Sequence, residues 1–187
     1  MTRSESLPMD AIVAAALKKW PNVPHCYGWL ALDARGDWYM RDDRIQARGP
    51  FPRVKGSRID HEKLREFIAR NYAADADGAW FFQNGPQRVY VELEAAPWIW
   101  RLHSEPTSSM VVTSHTGLAA QPAGEAFVDE AGRLFLVCDL GLGIVHTLDI
   151  ALASEPVERG VWRPQEIAFA ALVERFAICL SPATARA

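Results

Sequence analysis

Between Arg44 and Arg58 the chain carries five basic residues, Arg44, Arg48, Arg53, Lys55 and Arg58, and no acidic one. Guanidinium groups at this density can grip a phosphate or carboxylate through paired N–H donors. The amides of Gly56 and Ser57 add donors, and Phe51 offers a stacking face. Gly49-Pro50-Phe51-Pro52 is expected to hold the segment as an extended loop. With a net charge of −3 over the whole chain, the patch stands out in the protein's own field. It suits an anionic small molecule or a protein partner with an acidic surface; the competing reading is a solvated loop.

Three histidines, His103, His115 and His146, together with Asp139 and Asp149, are residue types that hold zinc or iron when strands gather them. Their spacing places no two on one helix face, so hydrogen-bonded or surface histidines are expected and no metal site is assigned. Cys138, His146 and Asp149 would supply a nucleophile, a base and an orienting acceptor if they met. Cys138 also continues the alternating set Leu134, Leu136, Cys138, which reads as strand packing. Ser114 and His115 are adjacent and face opposite ways on a strand. Gly141-Leu-Gly143 opens like a dinucleotide fingerprint, but the sixth position is His146 and no βαβ unit follows. No catalytic residue and no cofactor is therefore assigned. The leading expectation is a non-catalytic ligand-binding or regulatory module. The alternative is a small hydrolase or transferase acting on an anionic substrate, with His and Asp of the second half as acid and base.

These residues sit in a chain of 187, 49% hydrophobic and 23% charged, with a pI near 6.0. A chain of this length buries roughly 70% of its unfolded surface, enough for a good core without staples. The charge balance speaks against a general nucleic-acid binder. Cys26, Cys138 and Cys179 are odd in number and far apart, which suggests neither a disulfide framework nor a zinc site. The apolar run Ala11 to Leu17 is short, preceded by Glu5 and Asp10 and followed by Lys18-Lys19, so it reads as a helix and not a leader. No stretch approaches the roughly 20 apolar residues that span a bilayer. A cytoplasmic location is expected.

The elements follow from periodicity. Met9, Ile12, Val13, Ala16, Leu17 and Trp20 form a helical stripe, with Ser6 and Pro8 to start it and Pro21 to end it. Leu64, Phe67, Ile68 and Tyr72 form a second, with Asp60 as N-cap. Strands are expected at Cys26 to Leu32, Trp38 to Met40, Trp80 to Gln83, Arg88 to Leu93, Trp98 to Leu102, Val111 to Ser114 and Leu134 to Val137. Trp98 and Trp100 share one strand face against Ile99, Arg101 and His103, and Val89, Val91 and Leu93 oppose Arg88, Tyr90 and Glu92. One face is read as core and the other as wet, with core packing of the Trp residues preferred over a half-exposed aromatic cleft.

Leu32-Asp33-x-x-Gly36-x-Trp38 and Val128-Asp129-x-x-Gly132-x-Leu134 match as patterns, which suggests an internal duplication. Asp-x-x-Gly is also a common hairpin turn, and that is the preferred explanation. A C-terminal helix is expected from Pro164 through Leu180, with so few polar residues that it is either buried or offers a homodimer contact. The fold class is α+β: two tandem antiparallel β-meander units with helical cover, 1–104 and 105–187, packed as one compact body.

Gly36-Asp-Trp38-Tyr39, Leu64 with Phe67, Asp77-Gly78-x-Trp80-Phe81-Phe82, Pro86, Val89-x-Val91-Glu92 and Ala96-Pro97 resemble a bacterial family known only as a domain of unknown function. The resemblance covers the middle third of the chain. It implies two similar α+β units and a role in signal transduction or ligand binding. The segments Pro21 to Trp29 and Asp43 to Arg58 depart from it, and it carries over no catalytic residue.

Overall fold

A computed structural model describes residues 10–104 and 110–186. Ser6, Pro8 and Met9, expected to open the first helix, lie outside the described residues. These gather into two units, one from 10–33, Asp37–Glu94 and 179–186, the other from Ala34–Gly36 and Ala95–Ile178. The sequence reading sets its division at 104.

Unit 1 contains α1 (Ala11–Lys19), β1 (Cys26–Leu32), β2 (Trp38–Met40), α2 (Asp43–Arg48), β3 (Ser57–Arg58), α3 (Glu62–Arg70), β4 (Tyr72–Ala74), β5 (Trp80–Asn84) and β6 (Gln87–Leu93). Its sheet runs β3-β2-β1-β6-β5-β4, antiparallel throughout except for the central parallel pair β1/β6. In unit 2, β7 (Trp98–Ser104), β8 (Met110–Ser114) and β9 (Ala119–Ala120) are followed by β10 (Pro122–Val128), β11 (Leu134–Cys138) and β12 (Gly141–Val145). Then come α4 (Ile150–Glu158), β13 (Arg163–Glu166) and α5 (Phe169–Arg175), and α6 (Pro182–Ala185) returns to unit 1. The second sheet runs β13-β10-β11-β12-β7-β8-β9, with β12/β7 and β10/β13 parallel.

Both sheets are wound the same way. Three strands lead outward from the centre (β1 to β3, β7 to β9), and three return (β4 to β6, β10 to β12) to close a parallel central pair. The strand order is therefore repeated, but its register differs from the sequence match. The counterpart of the β10–β11 turn is the β4–β5 turn, not the β1–β2 turn. Asp33 and Asp129 look alike because one turn device recurs. At Asp33, Asp75 and Asp129 the amide of the Asp donates to the carbonyl four residues on, at 3.1, 2.9 and 3.2 Å. The amide of that later residue donates back to the Asp Oδ1 at 3.0, 3.0 and 2.9 Å. The turn needs one residue with positive φ, and Gly36, Gly78 and Gly132 supply it. Ser114 does the same with its hydroxyl, which accepts from Leu118 N at 3.2 Å.

Three expectations fail locally. The helix expected over Pro164 to Leu180 is a strand, β13, followed by the seven residues of α5. Pro164 has no N–H to give a ladder, which an edge strand tolerates. The segment on which a dimer contact was based is thus not a long apolar helix. The central strands are also not one-sided: Tyr90, Val91, Glu92 and Leu93 are all buried, as are Trp98, Ile99 and Trp100. Strands inside a parallel pair bury both faces. In α3 the cap is His61, whose Nδ1 accepts from Leu64 N at 3.2 Å, one residue after the expected Asp60. Among the described residues no helix is long and apolar enough to cross a membrane.

Candidate functional site

The basic segment is folded, not extended. Asp42 caps α2 by accepting from Ile45 N at 2.9 Å, and Arg44 and Arg48 fall one turn apart on that helix, both exposed. The chain then doubles back through Pro50 to Val54 and joins the sheet as β3. What fastens this excursion is Arg41, a buried residue that the sequence reading passed over. Its Nη2 donates to Gly49 O at 2.7 Å, its Nε to Val54 O at 3.2 Å and its Nη1 to Gly28 O at 3.4 Å. A guanidinium has five donors in one plane and can span three carbonyls, which an ammonium cannot.

The six residues expected at an anion site separate into two groups. Lys55 reaches the buried Asp33 at 2.8 Å and Glu94 at 3.4 Å. Burial works against its ammonium, but Asp33, aided by Glu94, outweighs that and raises its pKa. Arg58 binds Asp60 at 2.7 Å and lies 3.5 Å from Asp37. Arg44, Arg48 and Arg53 form no ion pair among the described residues, and all three are exposed. The Arg53 guanidinium lies beside Gly49, at the end of α2 that Arg48 occupies. Phe51 is half-buried, tilted against Tyr39 at 6.4 Å, with the Arg41 guanidinium 5.9 Å from its ring.

The histidines and Asp149 have other duties. His146 caps the turn Thr147–Asp149 by accepting from Leu148 N at 3.1 Å. Asp149 takes Arg101 Nε at 2.6 Å, Nη2 at 3.2 Å and Leu102 N at 3.1 Å. Burial pushes its pKa up, yet these bonds and the nearby His146 hold it below the ordinary value. His103 is exposed and meets Thr113 Oγ1 at 3.1 Å. His115 accepts from Ile99 N at 3.3 Å, and burial lowers its pKa to about 3, so its ring is neutral. The Cys138, His146, Asp149 set does not assemble. Cys138 pairs with Gly141, and His146 lies five residues further, about 16 Å at strand spacing. Burial, with Asp139 beside it, pushes the Cys138 thiol to about 12, far from a thiolate at neutral pH. Among the described residues no three metal-ligating side chains gather.

The aromatic cleft is made of tyrosine, not tryptophan. Trp98 and Trp100 are buried, and their indoles donate to Leu140 O at 2.8 Å and Leu136 O at 3.0 Å. In unit 1, Tyr27 of β1 and Tyr90 of β6 stack at 4.5 Å with their planes 7° apart. They line a cavity of about 310 Å³ with Asp75, Asp77, Cys179 and Arg186. The returning C-terminal segment supplies one wall. It is tied down by Cys179 N to Gly78 O at 3.2 Å, Leu93 N to Leu180 O at 2.8 Å and Ala183 N to the buried Glu92 at 3.2 Å. Reading 164–180 as one helix concealed this wall. The Asp75-Ala-Asp77-Gly78 turn was the signal in the sequence that could have located it. In unit 2 a more open cavity of about 580 Å³ lies at the counterpart turn, lined by Asp129, Glu130 and Glu166.

A family model described as "Protein of unknown function (DUF2946)" matches residues 9–183. The chain belongs to that family. The family match spans far more than the middle third that carried the resemblance in sequence. No curated protein matches the chain. Among solved structures, a DUF1285 family protein from Shewanella baltica OS155 at 1.40 Å resolution is similar, with 15% identity and a TM-score of 0.47, covering 72% of this chain and 97% of that one.

Proposed function

We propose that this member of the family is a non-catalytic binding module that takes an anionic group at Arg44, Arg48 and Arg53. One observation carries the reading: of the five basic residues in the segment, Lys55 and Arg58 spend their charge on carboxylates, while these three guanidiniums are exposed and unpaired among the described residues. Arg41 holds their backbone in place, so the positive field they make is fixed. A small polyphosphate or polycarboxylate fits best, because each guanidinium can give two parallel N–H donors to one oxyanion. A protein partner with an acidic surface would use the same three. A regulatory, cytoplasmic role belongs to this reading: such a module reports occupancy and not turnover.

Calorimetric titration with inorganic tripolyphosphate tests it. One site per chain is expected, weakened at least tenfold in an Arg44→Ala, Arg48→Ala, Arg53→Ala triple variant and little changed in Arg58→Ala. No heat of binding at low ionic strength, or an unaltered affinity in the triple variant, overturns it.

A further inference from the structure

The tyrosine-lined cavity of unit 1 holds unpaired charges of both signs. The Arg186 guanidinium lies over the Tyr27 ring at 4.7 Å, exposed and without an ion pair among the described residues. Asp77, also in the lining, is exposed, and its carboxylate makes no ion pair among the described residues. Asp75 is not comparable. Its Oδ1 accepts from Asp77 N and Ala79 N, both at 3.0 Å, and its Oδ2 accepts the Tyr90 phenol at 2.9 Å. Asp75 builds the wall, and Asp77 stands beside it in the lining.

The field around the cavity is divided accordingly. His25 touches the edge of Tyr90 at 5.8 Å, and its pKa is lowered by burial and then by Arg88 and Arg186. Cys179 is raised by burial and then by Glu92, Asp75 and Asp77. Arg186 and Asp77 thus share one lining with the stacked phenol rings. Ligand cavities commonly run from about 300 to 1,000 Å³. At about 310 Å³ this one lies at the small end of that range.

We propose that this cleft binds a small zwitterion bearing an aromatic ring, of the amino-acid class, with Arg186 on its carboxylate, Asp77 on its ammonium and its ring against Tyr27 and Tyr90. A purely cationic or anionic ligand would leave one of the two charges unanswered. Desolvating that charge without a partner lowers affinity. The cleft shares no residue with the arginine cluster at 44, 48 and 53, so either site can fail without the other.

The full chain is titrated by calorimetry with L-phenylalanine, L-tyrosine and L-tryptophan, and with phenethylamine and 3-phenylpropionate, which each keep one of the two charges. At least one amino acid is expected to bind once per chain and at least tenfold more tightly than either single-charge analogue. Arg186→Ala should weaken that amino acid at least fivefold and leave phenethylamine unchanged; Asp77→Asn should weaken it and leave 3-phenylpropionate unchanged. Both positions are exposed, so both variants keep the wild-type melting temperature. The proposal is overturned if none of the three amino acids binds at millimolar concentration, if a single-charge analogue binds as well, or if neither substitution alters the affinity.

Discussion

The indole of Trp100 on β7 lies against Gly143 on β12 so closely that a side-chain carbon at 143 would collide with the ring nitrogen. The same carbon would stand 2.8 Å from Trp98 Cβ. Gly143, which in sequence suggests the start of a nucleotide-binding loop, is a glycine because two tryptophans of the neighbouring strand need its space. Trp98 and Trp100 stack over it at 6.0 Å with planes 13° apart.

Gly143→Ala should therefore destabilise the protein by about 1–3 kcal/mol, the ordinary range for overpacking a core. Urea unfolding followed by tryptophan fluorescence measures it. An unchanged midpoint would show that the Trp100 contact is looser than described.

Arg41→Lys should cost about 2–4 kcal/mol, since one ammonium replaces a buried guanidinium shared among three backbone carbonyls. Amide exchange should accelerate first at Val54, whose N–H bonds Pro50 O at 3.0 Å within the fastened excursion. Equal protection in the variant would mean that another contact holds the segment.

His115 should remain neutral through the physiological range. Its pKa is depressed by burial to about 3, while the unfolded chain takes up a proton near 6.5. Below about pH 6.5 the unfolded state binds more protons, so this residue's contribution to stability falls as pH falls and levels off below about 3. Ring NMR signals of His115 should not titrate between pH 8 and 4. A midpoint near 6 would contradict its burial.

Ala177→Gly should stabilise the protein by about 0.5 kcal/mol, relief of a left-handed alanine partly offset by glycine's freer unfolded chain. Ala177 closes α5 with φ of 50°. Its amide bonds Glu174 O at 3.1 Å and that of Ile178 bonds Val173 O at 3.0 Å, the paired capping bonds that favour glycine at this position. Thermal unfolding is the measurement, and a lower melting temperature would count against the left-handed cap.

Strands with strong alternation or aromatic content were legible in the sequence: Cys26–Leu32 and Trp38–Met40 fall where expected, and Trp98, Met110 and Leu134 open strands within a residue of the reading. The two-unit α+β plan was legible for the same reason. Short edge strands were not. Ser57–Arg58 and Ala119–Ala120 have two residues each and owe their state to a partner strand, while Arg163–Glu166 pairs despite carrying a proline. The arginine cluster was visible as a run of charge. Which of its members keep their charge free depended on Asp33, Asp37 and Asp60, and those pairings are fixed only by folding. The tyrosine cleft needed Tyr27, Asp77, Tyr90 and Arg186 brought together from four distant stretches, which no local pattern announces.

Unit 1 is split along the chain, with its final segment made after the whole of unit 2. On the ribosome, Tyr27, Asp77 and Tyr90 emerge before most of unit 2, whereas Cys179 and Arg186 follow it. A nascent chain can thus form the strands of unit 1 before the segment that walls its cleft exists. The cleft is thus a late addition to a sheet made early: a chain cut before Cys179 would keep the strands of that sheet and lose one wall of the cavity.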